Sequence, residues 1–128
     1  MKFPKLLLLI FLASSASLEL LTSSEAWAQN QISWGTTASN YRSKLDQSFR
    51  FTCPPNGSIG RIWGTDIYTY DSSICTAAVH SGIITARDGG RVVIRIRPGK
   101  EFYNGTTRNG VTSSRYGSYN GSFVFIGR

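Results

Sequence analysis

Residues 71–82 read Asp71-Ser-Ser-Ile-Cys-Thr-Ala-Ala-Val-His-Ser-Gly82, and their reading decides the fold. Ile74, Cys75, Ala77, Ala78 and Val79 place apolar groups at helical spacings. Asp71, Ser72 or Ser73 can cap the first turn, because a side-chain oxygen there accepts from a backbone N–H that the helix leaves unpaired. Gly82 stands just past the end, where a chain leaving a helix turns left-handed at least cost in glycine. The two signals bracket a helix of about two to three turns. Ala77 and Ala78 are small enough to let a sheet or another stretch of backbone approach closely. His80 falls in the last turn, where a positive charge is favoured by the helix dipole.

On either side the pattern changes from helical to two-residue periodicity. Upstream, Phe49, Phe51 and Cys53 alternate with Arg50 and Thr52, which predicts a half-buried strand. Pro54-Pro55-Asn56-Gly57 stops it with strong turn chemistry. Ile59–Trp63 and Ile67–Tyr70 are short β-prone runs around Gly64-Thr65-Asp66. Downstream, Ile83–Ala86 reads as a strand and Asp88-Gly89-Gly90 as a turn. Arg91–Arg97 is the clearest strand: Val92, Ile94 and Ile96 point one way, and Arg91, Val93, Arg95 and Arg97 the other. Pro98-Gly99 is expected to end it. Asn104-Gly105, Asn109-Gly110 and Asn120-Gly121 are hairpin-type signals, and residues 123–126 form a last strand. The expected fold class is α+β: a single domain with one short helix packed among short β-strands.

The chain has 128 residues, enough for one domain. Lys2 and Lys5 precede the apolar run Leu6–Ala13, and small or polar residues lead to Ala26-Trp27-Ala28. This is the layout of a secretory leader cut before Gln29, so residues 1–28 are expected to be removed and 29–128 to form the domain. An uncleaved anchor is the rival reading, but the apolar run is short for a membrane span. The leader carries two Lys and two Glu, so the net charge of +7 stays on the 100 residues that remain. Export to the periplasm or beyond puts Cys53 and Cys75 in an oxidising compartment, where an even count favours a bridge over two buried thiols.

This inventory excludes several function classes. With one His and two Cys, zinc ribbons and iron–sulfur clusters lack ligands, and no cofactor is expected. Asp66 and Asp71 lack the D-x-D-x-D-G pattern of a calcium loop. Asp66, Asp71, Ser72 and His80 make a catalytic triad only on paper, since a triad needs contacts and each has a simpler role in a turn or cap. Cys75 and His80 are five residues apart, about 140° around a helix, so they do not share a face, which argues against a catalytic pair. No nucleic-acid module motif appears, and export separates the protein from most DNA and RNA.

Binding is the reading that remains. Arg91, Arg95 and Arg97 form a stripe, with Arg87 and Lys100 nearby; the arginine fork suits phosphate, sulfate or carboxylate. A chain with this positive excess attracts polyanions such as acidic polysaccharide or lipopolysaccharide. The same stripe also serves to keep an exposed strand soluble. A second possibility is a neutral glycan, peptidoglycan or an envelope or matrix protein, contacted through Tyr70, Tyr103, Tyr116 and Tyr119 in the turn-rich stretches.

The sequence resembles the LCCL domain family over about residues 34–127. The resemblance is carried by Phe51-Thr-Cys-Pro-Pro55, Trp63-Gly64-Thr-Asp66-Ile-Tyr68 and Asp71-Ser72-Ser73-Ile-Cys-Thr-Ala77-Ala78-Val-His80 with Gly82. It continues through Gly89-Gly90, Pro98-Gly99, Tyr103, Asn109-Gly110-Val-Thr-Ser113 and Ser122-Phe-Val-Phe125, with Ser72–His80 the most specific stretch. The resemblance implies a short central helix among antiparallel strands, no enzymatic activity, and an adhesive or host-defence role with lipopolysaccharide or acidic glycans as ligands. It also implies a four-cysteine form in which the helix cysteine pairs with the position of Gly57; here that cysteine and an upstream one are missing, so Cys53–Cys75 would be a re-pairing across the Pro-Pro-Asn-Gly turn.

Overall fold

The helix forms where its caps place it. In the computed structural model, which describes residues 30–127, α1 spans Ile74–His80. The Ser73 Oγ accepts from the Thr76 N–H at 3.1 Å, a cap worth about 1 kcal/mol. At the other end Gly82, at φ 82°, donates to Val79 O, and Ile83 N–H reaches back to Ala78 O, both at 2.9 Å. This pair of hydrogen bonds is the Schellman ending, which needs a left-handed residue at Gly82. The expected leader, residues 1–28, lies outside the described residues.

All seven residues of α1 are buried. A helix with no exposed face must be enclosed on every side. One side meets a sheet built from β1 (Ser48–Cys53), β2 (Gly64–Thr65), β3 (Ile67–Thr69), β4 (Gly90–Lys100) and β7 (Tyr119–Phe125). Their order is β1-β4-β7-β3-β2, and every neighbouring pair is antiparallel. The other sides are closed by irregular backbone. Ile74 N–H donates to Thr36 O, Ser73 N–H to Arg61 O, and Gly60 N–H to the Thr76 hydroxyl. The hairpin of β5 (Thr107–Arg108) and β6 (Val111–Thr112) completes the enclosure: its Asn109 side chain donates to His80 O at 3.0 Å.

The inward sheet residues follow from alternation. Phe49 and Phe51 of β1 stand opposite Ile94 and Val92 of β4, and Ile96 stands opposite Phe123 of β7. Phe123 is in turn paired with Tyr68 of β3. These side chains pack with Ile74, Ala77 and Ala78 into one core. Cys53, the last residue of β1, is bridged to Cys75 of α1 with Cα atoms 5.8 Å apart, so one disulfide ties the sheet to the helix. The expected bridge is therefore present. Asn109-Gly110 is the two-residue turn of the β5–β6 hairpin, with both φ angles positive, as its sequence predicts.

Several expectations are corrected. Pro98-Gly99 does not end β4, which runs on to Lys100. β1 covers β4 only as far as Arg95, so Pro98 stands where one side of the strand is open, and a residue lacking an N–H is tolerated there. Ile83–Ala86 is not a strand. Its backbone is consumed by the helix ending and by a turn in which Gly89 N–H bonds to Thr85 O, while Ala86 O and Arg87 O accept from Gly57 and Asn56. Asn120-Gly121 lies inside β7, not in a turn; the ring of Tyr70 covers Gly121, leaving no room for a side chain. Asn104-Gly105 makes no hairpin turn, and of Ile59–Trp63 only Trp63 forms a β-bridge, with Ser114.

Candidate functional site: the basic outer face of the sheet

With Val92, Ile94 and Ile96 buried, the intervening residues of β4 are turned to the opposite face. Arg91, Arg95 and Arg97 are exposed there, with Val93 half-buried among them. The neighbouring strands add to this face by register. Arg50 of β1 stands opposite Val93, and Ser48 opposite Arg95; on the other flank Val124 of β7 is opposite Arg95. Cross-strand partners have Cβ atoms about 5 Å apart, so Arg50 sits beside the stripe, between the levels of Arg91 and Arg95. Along β4, Arg91 and Arg95 are separated by about 13 Å and Arg95 and Arg97 by about 7 Å. The sequence shows Arg50 pointing away from the core, but only the pairing of β1 with β4 places it here.

The charges differ in their local company. Arg95 Nε donates to the Ser48 hydroxyl at 3.4 Å, a neutral partner. Arg97 is ion-paired with Asp46, whose N–H is held by Ile96 O at 2.8 Å just ahead of β1. Arg87 does not join the face; it lies in the turn before β4, ion-paired with Asp88 at 3.2 Å. Lys100, at the far end of β4, also falls outside the alternating row. It borders two adjoining clefts, of about 250 Å³ and about 440 Å³, which share Lys100 and Ile67. A separate cleft of about 540 Å³ is lined by Ile59, Val79, Ile83, Ile84 and Val111 together with polar and glycine residues such as Asp88 and Asn109.

The other sequence-selected residues hold the fold. His80 is fully buried in the last turn of the helix. Its Nε2 donates to Thr106 O, which can only accept, at 3.1 Å, and its Nδ1 is hydrogen-bonded to the Tyr68 hydroxyl at 2.8 Å. The Ser81 hydroxyl reaches Tyr68 from the other side at 2.7 Å. Ser72 Oγ accepts from Trp63 N–H, and Asp71 accepts from the Thr69 hydroxyl. Asp66, in the turn between β2 and β3, is ion-paired with Arg108 at 2.9 Å. Gly64 opens β2. Asp71 and Ser72 share the Thr69 hydroxyl, whereas Asp66 and His80 bond elsewhere, so the four do not form a relay. Among the described residues no group of three or more His, Cys, Asp or Glu is placed to share a metal ion.

The tyrosines divide. Tyr70 and Tyr103 are buried, with hydroxyls bonded to Arg42 O and Gly121 O, so neither offers a ring to a ligand. Burial pushes the phenols of Tyr68, Tyr70 and Tyr103 above their usual range. Tyr116 is exposed and meets the half-buried Tyr119 edge-on at 5.8 Å. Phe102, 51% exposed, is an outward aromatic that sequence reasoning missed. No helix among the described residues is long and apolar enough to cross a membrane.

Comparisons with known proteins agree with this architecture. A family model for the LCCL domain matches residues 22–123. Human vitrin is 34% identical over 84 residues, covering 64% of this chain and 12% of vitrin. Clotting factor C of Tachypleus tridentatus is 31% identical over 100 residues, 77% of this chain and 10% of that protein. Human cochlin is 39% identical over 63 residues, 49% of this chain and 11% of cochlin. The chain thus spans about a tenth of the length of these curated relatives. With four-fifths of its length matched by the family model and its helix, sheet and motif residues in place, the chain belongs to the LCCL domain family.

Proposed function

We propose that this LCCL domain is a non-enzymatic binding module for anionic envelope or extracellular polymers, such as lipopolysaccharide or acidic glycans, contacted by the outer face of its sheet. The observation that carries the reading is the row Arg91, Arg95 and Arg97, turned outward together by β4 with Arg50 alongside. A guanidinium presents two parallel donors, which suits phosphate, sulfate and carboxylate groups. The net charge of +7 adds a long-range field that gathers polyanions before contact. The reading takes residues 1–28 as a leader removed on export and 29–128 as the binding domain, secreted or periplasmic; a buried disulfide fits such an oxidising compartment.

The test is direct binding of the purified protein to lipopolysaccharide, with neutral dextran as control, beside an Arg91→Ser/Arg95→Ser/Arg97→Ser variant. Exposed charges act over about 10 Å at 0.1 M salt and about 3 Å at 1 M. Binding should therefore collapse as salt rises, be lost in the triple variant, and be absent for dextran. Binding that ignores both salt and the variant would refute the assignment of this face.

A further inference from the structure

The end of β4 carries a feature that charge alone does not explain. Tyr103 is fixed inward: its N–H and C=O both bond to Tyr116, at 2.8 and 3.0 Å, and its hydroxyl accepts from Lys100 N–H. Successive side chains of an extended segment point to opposite sides, so Phe102 is turned out. A ring left half in water has a hydrophobic face that is not fully covered by the described residues.

Its surroundings are polar. The cleft beside Phe102 also contains Lys100, Glu101, Asn104 and Thr65, the last donating its hydroxyl to Asn104 O at 3.0 Å. Through Lys100 and Ile67 this cleft adjoins the smaller one bordered by Arg97. One track therefore leads from the Arg97 guanidinium, at the end of the basic row, to an exposed aromatic ring bordered by hydrogen-bonding groups. That is the complement of a sugar: a pyranose has an apolar C–H face and a rim of hydroxyls, and its anionic substituents would meet Arg95 and Arg97. A polyanion without sugar rings uses only the cations. A nucleic acid also stacks, but a DNA strand lacks the dense rim of hydroxyls that the polar side chains around Phe102 can meet, and the oligo(dT) arm below tests it.

We infer that Phe102 is the stacking platform of a saccharide subsite continuous with the basic face, so that the ligand class is an acidic polysaccharide; this rests on the binding face proposed above. The experiment uses two polymers with the same anion, dextran sulfate and poly(vinyl sulfate), of which only the first contains sugar rings. Phe102→Ala should weaken dextran sulfate binding by about three- to tenfold and leave poly(vinyl sulfate) within about twofold. Phe102→Trp should keep full affinity for dextran sulfate. Equal effects of Phe102→Ala on both polymers overturn the platform, while loss of both polymers in Arg95→Ser keeps the basic face. An equal loss of oligo(dT) binding in Phe102→Ala would show base stacking and overturn the sugar assignment. Failure of the unaltered protein to bind either sulfate polymer would overturn the face and the platform together.

Discussion

Cutting the link between β1 and α1 gives a change of calculable size. Cys53 and Cys75 close a loop with a separation of 22 residues, and both are buried. In the chain-entropy description the bridge destabilises the unfolded ensemble, by about 3 kcal/mol for a loop of this length. A domain of about 100 residues shifts its melting temperature by roughly 4–8 °C per kcal/mol. The reduced protein should therefore melt about 12–25 °C below the oxidised one. Cys53→Ala/Cys75→Ala should fall slightly further, because it also empties the space of two sulfur atoms, at about 1 kcal/mol. Since the bridge acts on the unfolded chain, its loss lets that chain expand, and the slope of urea unfolding should rise. Thermal and urea melts followed by circular dichroism, with and without reductant, read both quantities. A shift below about 5 °C with an unchanged slope would refute the reasoning, since the loop would then be unconstrained by the bridge.

Three further outcomes test the interior. Tyr68→Phe and His80→Leu each leave buried partners unpaired and should cost about 1–3 kcal/mol, and the double variant should cost less than their sum by at least about 0.5 kcal/mol; strict additivity would count against the Tyr68–His80 bond. Gly82→Val should cost about 1–2 kcal/mol because the helix ending needs φ 82° there, and an unchanged melting temperature would contradict that ending. The raised phenols of Tyr68, Tyr70 and Tyr103 keep their protons in the folded state when the unfolded chain has begun to lose them, near the ordinary value of 10.0. Stability should thus be level below about pH 9 and fall as pH rises through 10 and beyond; urea midpoints equal at pH 8 and 10.5 would oppose this.

What could be read in advance was local. The helix was legible because Ser73 and Gly82 mark its ends through bonds to their own neighbours. The faces of β4 were legible because alternation needs no partner. The bridge followed from parity and compartment. The illegible parts depend on what lies across space. Pro98 reads as a stop unless one knows that β1 has already ended beside it. Ile83–Ala86 reads as a strand until the helix ending claims its backbone. Tyr70 and Tyr103 look available in a turn-rich sequence, yet Gly121 and Tyr116 place them inside. The candidate site was half legible: the arginine row was, but its separation from Arg87, the company of Arg50 and the outward turn of Phe102 all come from pairing.

Trp34 lies across Gly57 so closely that a Cβ at position 57 would collide with the indole, which is anchored by Nε1 donating to Pro54 O at 2.9 Å. That glycine occupies the place where the four-cysteine form, which this sequence resembles, carries a sulfur. Ring and sulfur cannot share the volume. In this chain a cysteine at position 57 therefore requires the Trp34 ring to leave its place first, so the single substitution Gly57→Cys sets the sulfur against the indole and its bond to Pro54 O.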